Sequence, residues 1–328
     1  MRDSCLRRPR FKRQVTSHVS IFVTKEKLVK ITVASGKGGT GKTTVATSLA
    51  LSLSMDPSGT HPAQDASASA PLFLDCDVEA PNAHIFMDPV FEQEETVNIL
   101  IPEIDETKCT YCGRCAEVCP WHAIAVVGKK ALVFPQLCHG CASCTLACPE
   151  GAISEKPNPI GIIQAGSSRN GIKFAQGVLD VGEPMAVPII RQLKKWFPTQ
   201  PPRLTIIDAS PGTTCPVVES MRGVDFVLLV TEPTPFGLHD LRLAVQVAQE
   251  LDIPVGVVIN RDGVGDSGVD DYCRQEGLPV LMRIPLDSQI AQGIARGKPL
   301  VHILPEYIER FQELYAQIQG IVSQRPSR

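Results

Sequence analysis

Eight of the twelve cysteines fall between positions 109 and 148, in two runs of one pattern. Cys109, Cys112, Cys115 and Cys119, followed by Pro120, read C-x-x-C-x-x-C-x-x-x-C-P; Cys138, Cys141, Cys144 and Cys148, followed by Pro149, repeat it 29 residues later. Thiolates spaced this way converge on soft metals, and two such runs suit iron–sulfur clusters, whereas structural zinc would not need two interlocked sets. The flanks repeat at the same offset, CPWHAI (119–124) against CPEGAI (148–153), so each half reads as a cluster loop plus a short helix. A second constellation, Gly36-Lys37-Gly38-Gly39-Thr40-Gly41-Lys42-Thr43-Thr44, satisfies G-x-x-x-x-G-K-S/T. Its glycines let backbone N–H groups converge on phosphate oxygens at a helix N-terminus. Lys42 can neutralise β/γ charge, and the Thr43 hydroxyl is placed to ligate Mg²⁺.

These residues need a scaffold, and the hydrophobic pattern supplies one. From Leu28 the run LVKITVAS predicts a buried strand before the Gly-rich turn, and TTVATSLALSLSM predicts a helix after it. PLFLDCD (71–77), RLTIIDAS (203–210), DFVLLVTE (225–232) and IPVGVVIN (253–260) are further apolar runs, each ending in a polar residue. Helical stretches such as HDLRLAVQVAQEL separate them, which predicts a mostly parallel sheet covered on both faces, with ligands beyond the carboxyl ends of its strands. Asp75, Asp77, Asp208 and Asn260 lie at those ends.

The 328 residues are 43% apolar, enough for one large α/β domain and a small module, and the formal charge of -3 gives no general attraction to nucleic acid or anionic membrane. No apolar run is long enough to span a membrane, and a cysteine-rich metal module implies a reducing compartment, so a cytoplasmic protein is expected. Residues 1–27 read as a disordered basic extension, and 56–71 as a flexible excursion. Tyr307, Ile308, Phe311, Leu314, Tyr315, Ile318 and Val322 share one face of a final helix, whose polar face mixes Glu306, Glu309 and Glu313 with Arg310. Packing on the protein body is expected there rather than membrane binding.

The early lysine, Lys37, gives the loop its K-G-G-x-G-K-S/T form, and with it the chain resembles the deviant-Walker ATPases: MinD, ParA, Mrp-type proteins, CooC and the nitrogenase iron protein. The resemblance covers 28–100 and 157–328, with a bacterial-type dicluster ferredoxin domain inserted at 101–156. It implies an α/β P-loop NTPase domain with a mostly parallel sheet, plus a small α+β ferredoxin module, using ATP/ADP, Mg²⁺ and two 4Fe-4S clusters. LFLDCDVEAPN resembles the family's switch I, which makes Asp77 the residue that positions or activates the attacking water. IIDASPGT resembles switch II, where Asp208 would hold Mg²⁺ through water and Gly212 would sense the γ-phosphate. VVINR places Asn260 at the adenine, and IPLDSQIAQGIARGKPL resembles the closing segment. Lys37 would reach across a nucleotide-dependent homodimer, or a heterodimer with a related ATPase, to the partner's phosphates. The ferredoxin likeness implies crossed ligation, with Cys109, Cys112, Cys115 and Cys148 on one cluster and Cys138, Cys141, Cys144 and Cys119 on the other.

Three activities fit this resemblance: ATP-gated electron transfer to a partner metalloprotein, metal-cluster assembly or insertion in the manner of CooC or Mrp-type proteins, and positioning in the manner of MinD or ParA. The ferredoxin insert favours the first two. His122 and His139 are expected near the clusters without ligating them, since thiolates fill all eight positions. Cys5, Cys76 and Cys273 read as incidental or packing thiols. Cys215 follows Asp208 by seven residues, where the iron-protein family carries a ligand to a dimer-bridging cluster, but no second cysteine stands between Cys148 and Cys215. A packed thiol near switch II is therefore expected, with a metal or redox role as the alternative.

Overall fold

The computed structural model describes residues 28–55, 70–196 and 202–325. The basic stretch 1–27, with Cys5, and residues 56–69 of the polar excursion lie outside them. The strands are β1 (Val29–Ala34), β2 (Leu72–Cys76), β3 (Val90–Ile104), β4 (Ile124–Val127), β5 (Lys130–Val133), β6 (Ile153–Ser167), β7 (Lys173–Leu179), β8 (Leu204–Ala209), β9 (Phe226–Thr231), β10 (Val255–Asp262) and β11 (Val280–Pro285). Among the described residues nine form one sheet in the order β11-β10-β9-β1-β8-β2-β7-β6-β3, and β4 and β5 form a separate hairpin. The pairs from β11 to β7 are parallel, whereas β6 and β3 add an antiparallel extension at one edge.

That extension holds the cysteine-rich insert. β6 pairs with β7 only from Gly161 onward, so Asn98–Ile104 of β3 and Ile153–Pro159 of β6 pair only with each other, as a ribbon standing off the sheet. By the strand directions, the ribbon tip points the same way as the carboxyl ends of the parallel strands. The compact unit at its tip spans 105–152, and the expected boundaries at 100/101 and 156/157 fall inside continuous strands. The ribbon went unread because Glu92, Glu94, Glu95, Pro102, Pro157 and Pro159 break up its apolar periodicity. Strand pairing to a partner 49 or more residues away decided its conformation.

Helix α1 (Lys42–Ser52) is buried almost all round, which its small and branched residues permit. One side faces the sheet, and another meets helix α2 (Tyr307–Ser323). Helix α2 packs down through Tyr307, Ile308, Phe311, Leu314, Ile318 and Val322, with Tyr315 half-buried, and Gln312 donates to the Ser52 carbonyl. Truncating Phe311 to Ala in such a core typically costs about 3–5 kcal/mol. No helix of the described residues is long and apolar enough to cross a membrane. On the opposite sheet face, Leu74, Ile207, Ala175 and Ile163 share a core with Ile99 and Ile101 of the ribbon and with Ala123 and Cys138 of the module.

Candidate nucleotide cleft and cluster cavities

The loop 35–41 leaves β1 and turns into α1, with Gly41 at the helix N-cap in a left-handed conformation, φ 89°. A Cβ on Gly41 would stand 2.3 Å from Asn260 Nδ2. Only glycine meets both conditions, because other residues pay for the left-handed backbone and none fits the gap. A cleft of about 440 Å³ opens here, lined by Gly38, Gly39, Gly41, Lys42, Thr43, Thr44, Asp77 and Asn260. Its far wall is apolar, with Phe86, Leu286, Ile290 and Ile294. A polar, N–H-rich end and an apolar end suit a phosphorylated, ring-bearing ligand.

Lys42 is buried, and its Nζ lies 2.6 Å from Asp208 Oδ1 and 3.4 Å from Thr43 Oγ1. Asp208 is fully buried, and its Oδ2 has no hydrogen-bond partner among the described residues. A buried carboxylate oxygen left unpaired beside a P-loop hydroxyl is chemically suited to a Mg²⁺-bound water, so Thr43 and Asp208 fit that ion. Asp75 lies next to Asp208 in the sheet register. It accepts N–H bonds from Asp77, Asn82 and Ala83 at 3.0–3.1 Å, fastening the loop that carries Asp77. Burial, with the Asp208 charge beside it, pushes the Asp75 carboxyl up to about 7. Burial likewise raises Asp77 to about 6, against the pull of Lys42.

The other expected site residues stand as follows. Asn260 donates from Nδ2 to the Thr40 carbonyl at 2.7 Å, so it braces the phosphate loop while lining the cleft. Gly212, φ 98°, donates its N–H to the Ser35 carbonyl at 2.9 Å, tying the segment after β8 to the same loop. Gly36 and Thr40 belong to the loop, outside the cleft lining. Lys37 pairs at 3.2 Å with Glu232, and Arg261 pairs with that carboxylate at 2.6 Å. The sequence reading missed Glu232 and Arg261, although Glu232 follows β9 at a strand end, where polar residues gather around ligands. Cys215, expected as a packed thiol, is instead exposed at the start of the helix Cys215–Met221, while Cys76 and Cys273 are buried as expected.

In the module the eight thiols separate into two cavities. Cys109, Cys112, Cys115 and Cys148 line one, and Cys119, Cys138, Cys141 and Cys144 the other. The fourth cysteine of each run has crossed over to the first three of its counterpart. None of the eight is in a disulfide. Among the described residues, no three His, Cys, Asp or Glu side chains converge tightly enough for a single metal ion. Four thiols around a cavity, with N–H groups of Ala123, Gly140 and Ala152 at 3.3–3.4 Å from sulfurs, instead fit a polynuclear cluster of iron and sulfide. Such clusters, when bound, supply one-electron chemistry. His139 stacks on Trp121 with ring centroids 3.5 Å apart, and His122 lies in the left-handed region.

Fold and site together define a P-loop ATPase fold that bears an iron–sulfur dicluster module. A family model for the 4Fe-4S dicluster domain matches residues 101–160, and a second model of that description matches 74–123. The chain belongs to one family with an uncharacterized protein of Methanocaldococcus jannaschii, and it combines a MinD-like P-loop fold with a 4Fe-4S dicluster domain. It is 31% identical over 283 residues to the uncharacterized protein MJ0579 of Methanocaldococcus jannaschii, covering 85% of this chain and 94% of that one. It is also 23% identical over 292 residues to the cytosolic Fe-S cluster assembly factor NUBP2 of Gallus gallus, covering 84% and 85%. Among solved structures, the septum site-determining protein MinD with Mg-ADP from Pyrococcus horikoshii matches with a TM-score of 0.53 at 18% identity, over 90% of this chain and 99% of that one. That likeness speaks for the fold alone.

Proposed function

We propose that this protein is an ATP-driven factor that assembles iron–sulfur clusters or inserts them into acceptor proteins. The observation that carries the reading is the shared scaffold: the ribbon bearing both cysteine cavities is an extension of the sheet whose strand ends form the nucleotide cleft. Likeness to a cluster assembly factor across most of the chain supports it. In this reading Lys42 and the loop Gly36–Thr44 bind the phosphates, Thr43 and Asp208 hold Mg²⁺, Asp77 orients the attacking water, and Asn260 borders the base. Gly212 senses the γ-phosphate by leaving the Ser35 carbonyl. Lys37 leaves Glu232 to meet the phosphates of a second subunit, so that ATP closes a dimer and hydrolysis reopens it.

The test is transfer of radiolabelled iron from the anaerobic, cluster-loaded protein to an apo-ferredoxin, with ATP and with ADP. Transfer that rises with ATP and is lost in Lys42→Ala is expected. Equal transfer with either nucleotide would overturn the assembly reading. A second reading, ATP-gated electron delivery, is favoured by the crossed placement of Cys119 and Cys148, which interlocks two cluster sites in one module. It requires clusters that stay on the protein and cycle reversibly, so the same iron assay separates the two readings.

A further inference from the structure

Across five neighbouring strands the sheet register lines up Asp208 (β8), Asp75 (β2), Gln176 (β7), Gln164 (β6) and Glu94 (β3). Register partners project from the same face, so these side chains form one row from the nucleotide cleft to the ribbon that carries the clusters. The next row on that face, one step further from the cleft, is apolar: Phe73 stacks on Phe174 at 5.7 Å, and Phe91 meets Phe174 edge-on at 6.0 Å. An aromatic row is ordinary core. A polar row beside it costs stability unless its groups are paired.

The pairing has a direction. Gln176 Nε2 donates to Gln164 Oε1 at 2.9 Å, and Gln164 Nε2 donates to Glu94 Oε2 at 3.0 Å. The Glu94 carboxylate only accepts, which forces Gln164 to donate to it and so orients both amides. One group is left over: Gln176 is only 5% exposed, and its Oε1 has no partner among the described residues. At the other end, the Asp75 oxygens are occupied by N–H groups of the loop carrying Asp77.

A second arrangement resolves the leftover acceptor. If that loop leaves Asp75, the carboxylate is free to accept from Gln176 Nε2. The Gln176 amide then turns over, its Oε1 accepts from Gln164 Nε2, and Glu94 is released. Each arrangement satisfies what the other leaves unpaired, which is what a row with two discrete states requires. We propose that Gln176 and Gln164 are positioning residues that carry the state of the Asp77 loop to the cluster-bearing ribbon by reversing this hydrogen-bond chain. The proposal rests on the coupling of nucleotide to clusters in the proposed function, whichever cluster chemistry follows.

The test is EPR of the dithionite-reduced, cluster-loaded protein, with and without Mg²⁺ and a non-hydrolysable ATP analogue. In the wild type the analogue is expected to alter a cluster signal. Gln176→Leu should keep its iron content and its affinity for the analogue but shrink that spectral response by about threefold or more. Glu94→Gln, at an exposed position where folding is not at stake, removes the fixed acceptor and should also shrink it. Phe91→Leu, in the aromatic row, should leave the response intact. An undiminished response in Gln176→Leu and Glu94→Gln would overturn the row while leaving the proposed function standing, as would equal loss in Phe91→Leu. No response in the wild type would overturn the row, and ATP-stimulated iron transfer would show whether the function falls with it.

Discussion

The two halves of the cysteine module share a backbone but face different surroundings. Tyr111, Gly113 and His122 have φ of 58°, 82° and 52°; their counterparts 29 residues on, Gly140, Ala142 and Gly151, have 62°, 61° and 57°. At each pair one half uses glycine, and the other holds a side chain in the same left-handed conformation. The cluster loop thus dictates the backbone, and a cost of roughly 1–2 kcal/mol at each non-glycine position is tolerated for it. The environments diverge. A Cβ on Gly140 would lie 3.1 Å from the Leu100 carbonyl of the ribbon, whereas its outer counterpart, Tyr111, carries a full side chain at that place. Cys138 belongs to the core shared with the sheet, while Cys115 sits in a small satellite core with Ile124 and Ile153. The cavity of Cys119, Cys138, Cys141 and Cys144 is therefore the inner one, next to the ATPase body, and the other is the outer one. The first half of the repeat ended up distal because Leu100 and Pro102 of the ribbon line the inner cavity, whereas only the ribbon tip, Ile104 and Ile153, reaches the outer one.

The difference can be broken in stages. The largest effect is expected from Cys144→Ala, which should halve the bound iron and remove one of two EPR signals; loss of all iron would mean that the two cavities do not fill independently. Ser143→Ala should come next. Its Oγ lies 3.3 Å from Cys141 Sγ, whereas the corresponding outer residue is Arg114, paired with Glu117. In the inner loop the Cys141 thiol donates to the hydroxyl. Once Cys141 binds a cluster as a thiolate it can only accept, so the Ser143 hydroxyl would donate to it and favour the reduced, more negative cluster. Its removal should lower only the inner potential, by roughly 40 mV for about 1 kcal/mol, and redox titration monitored by EPR would detect a shift in the wrong cluster.

Trp121→Ala tests the aromatic cover that His139 stacks on and that Glu150 replaces at the outer site. Opening the inner cavity should speed bleaching in air several-fold, and an unchanged rate would leave the stack without a protective role. The smallest effects are backbone ones. Gly113→Ala gives the outer loop the residue the inner loop already carries and should destabilise by about 1 kcal/mol; Ala142→Gly should stabilise by less than that, since glycine also frees the unfolded chain. Midpoints of guanidinium-induced chromophore loss would reveal a reversed sign.

Local signals were legible where they are dense. The cysteine runs, the phosphate loop and the apolar strands before Asp77, Asp208 and Asn260 could be read without coordinates, because each depends on spacing along a short stretch of chain. So could the packing face of α2, from Tyr307 to Val322. The ribbon could not, since β3 and β6 are stabilised by each other across the whole module, and their glutamates and prolines hide the alternation.

The sequence by itself determined that a phosphate-loop motif and two four-cysteine runs coexist in this chain, since both are residue types at fixed short spacings. Only the tertiary structure decided how they are related. It places the cysteine module on a ribbon continuous with the sheet whose strand ends line the cleft, makes one cysteine cavity inner and the other outer, and sets Gln176 and Gln164 in line with Asp75 and Asp208. Those relations come from strand register between segments remote in sequence, and register is fixed by which faces can be buried together.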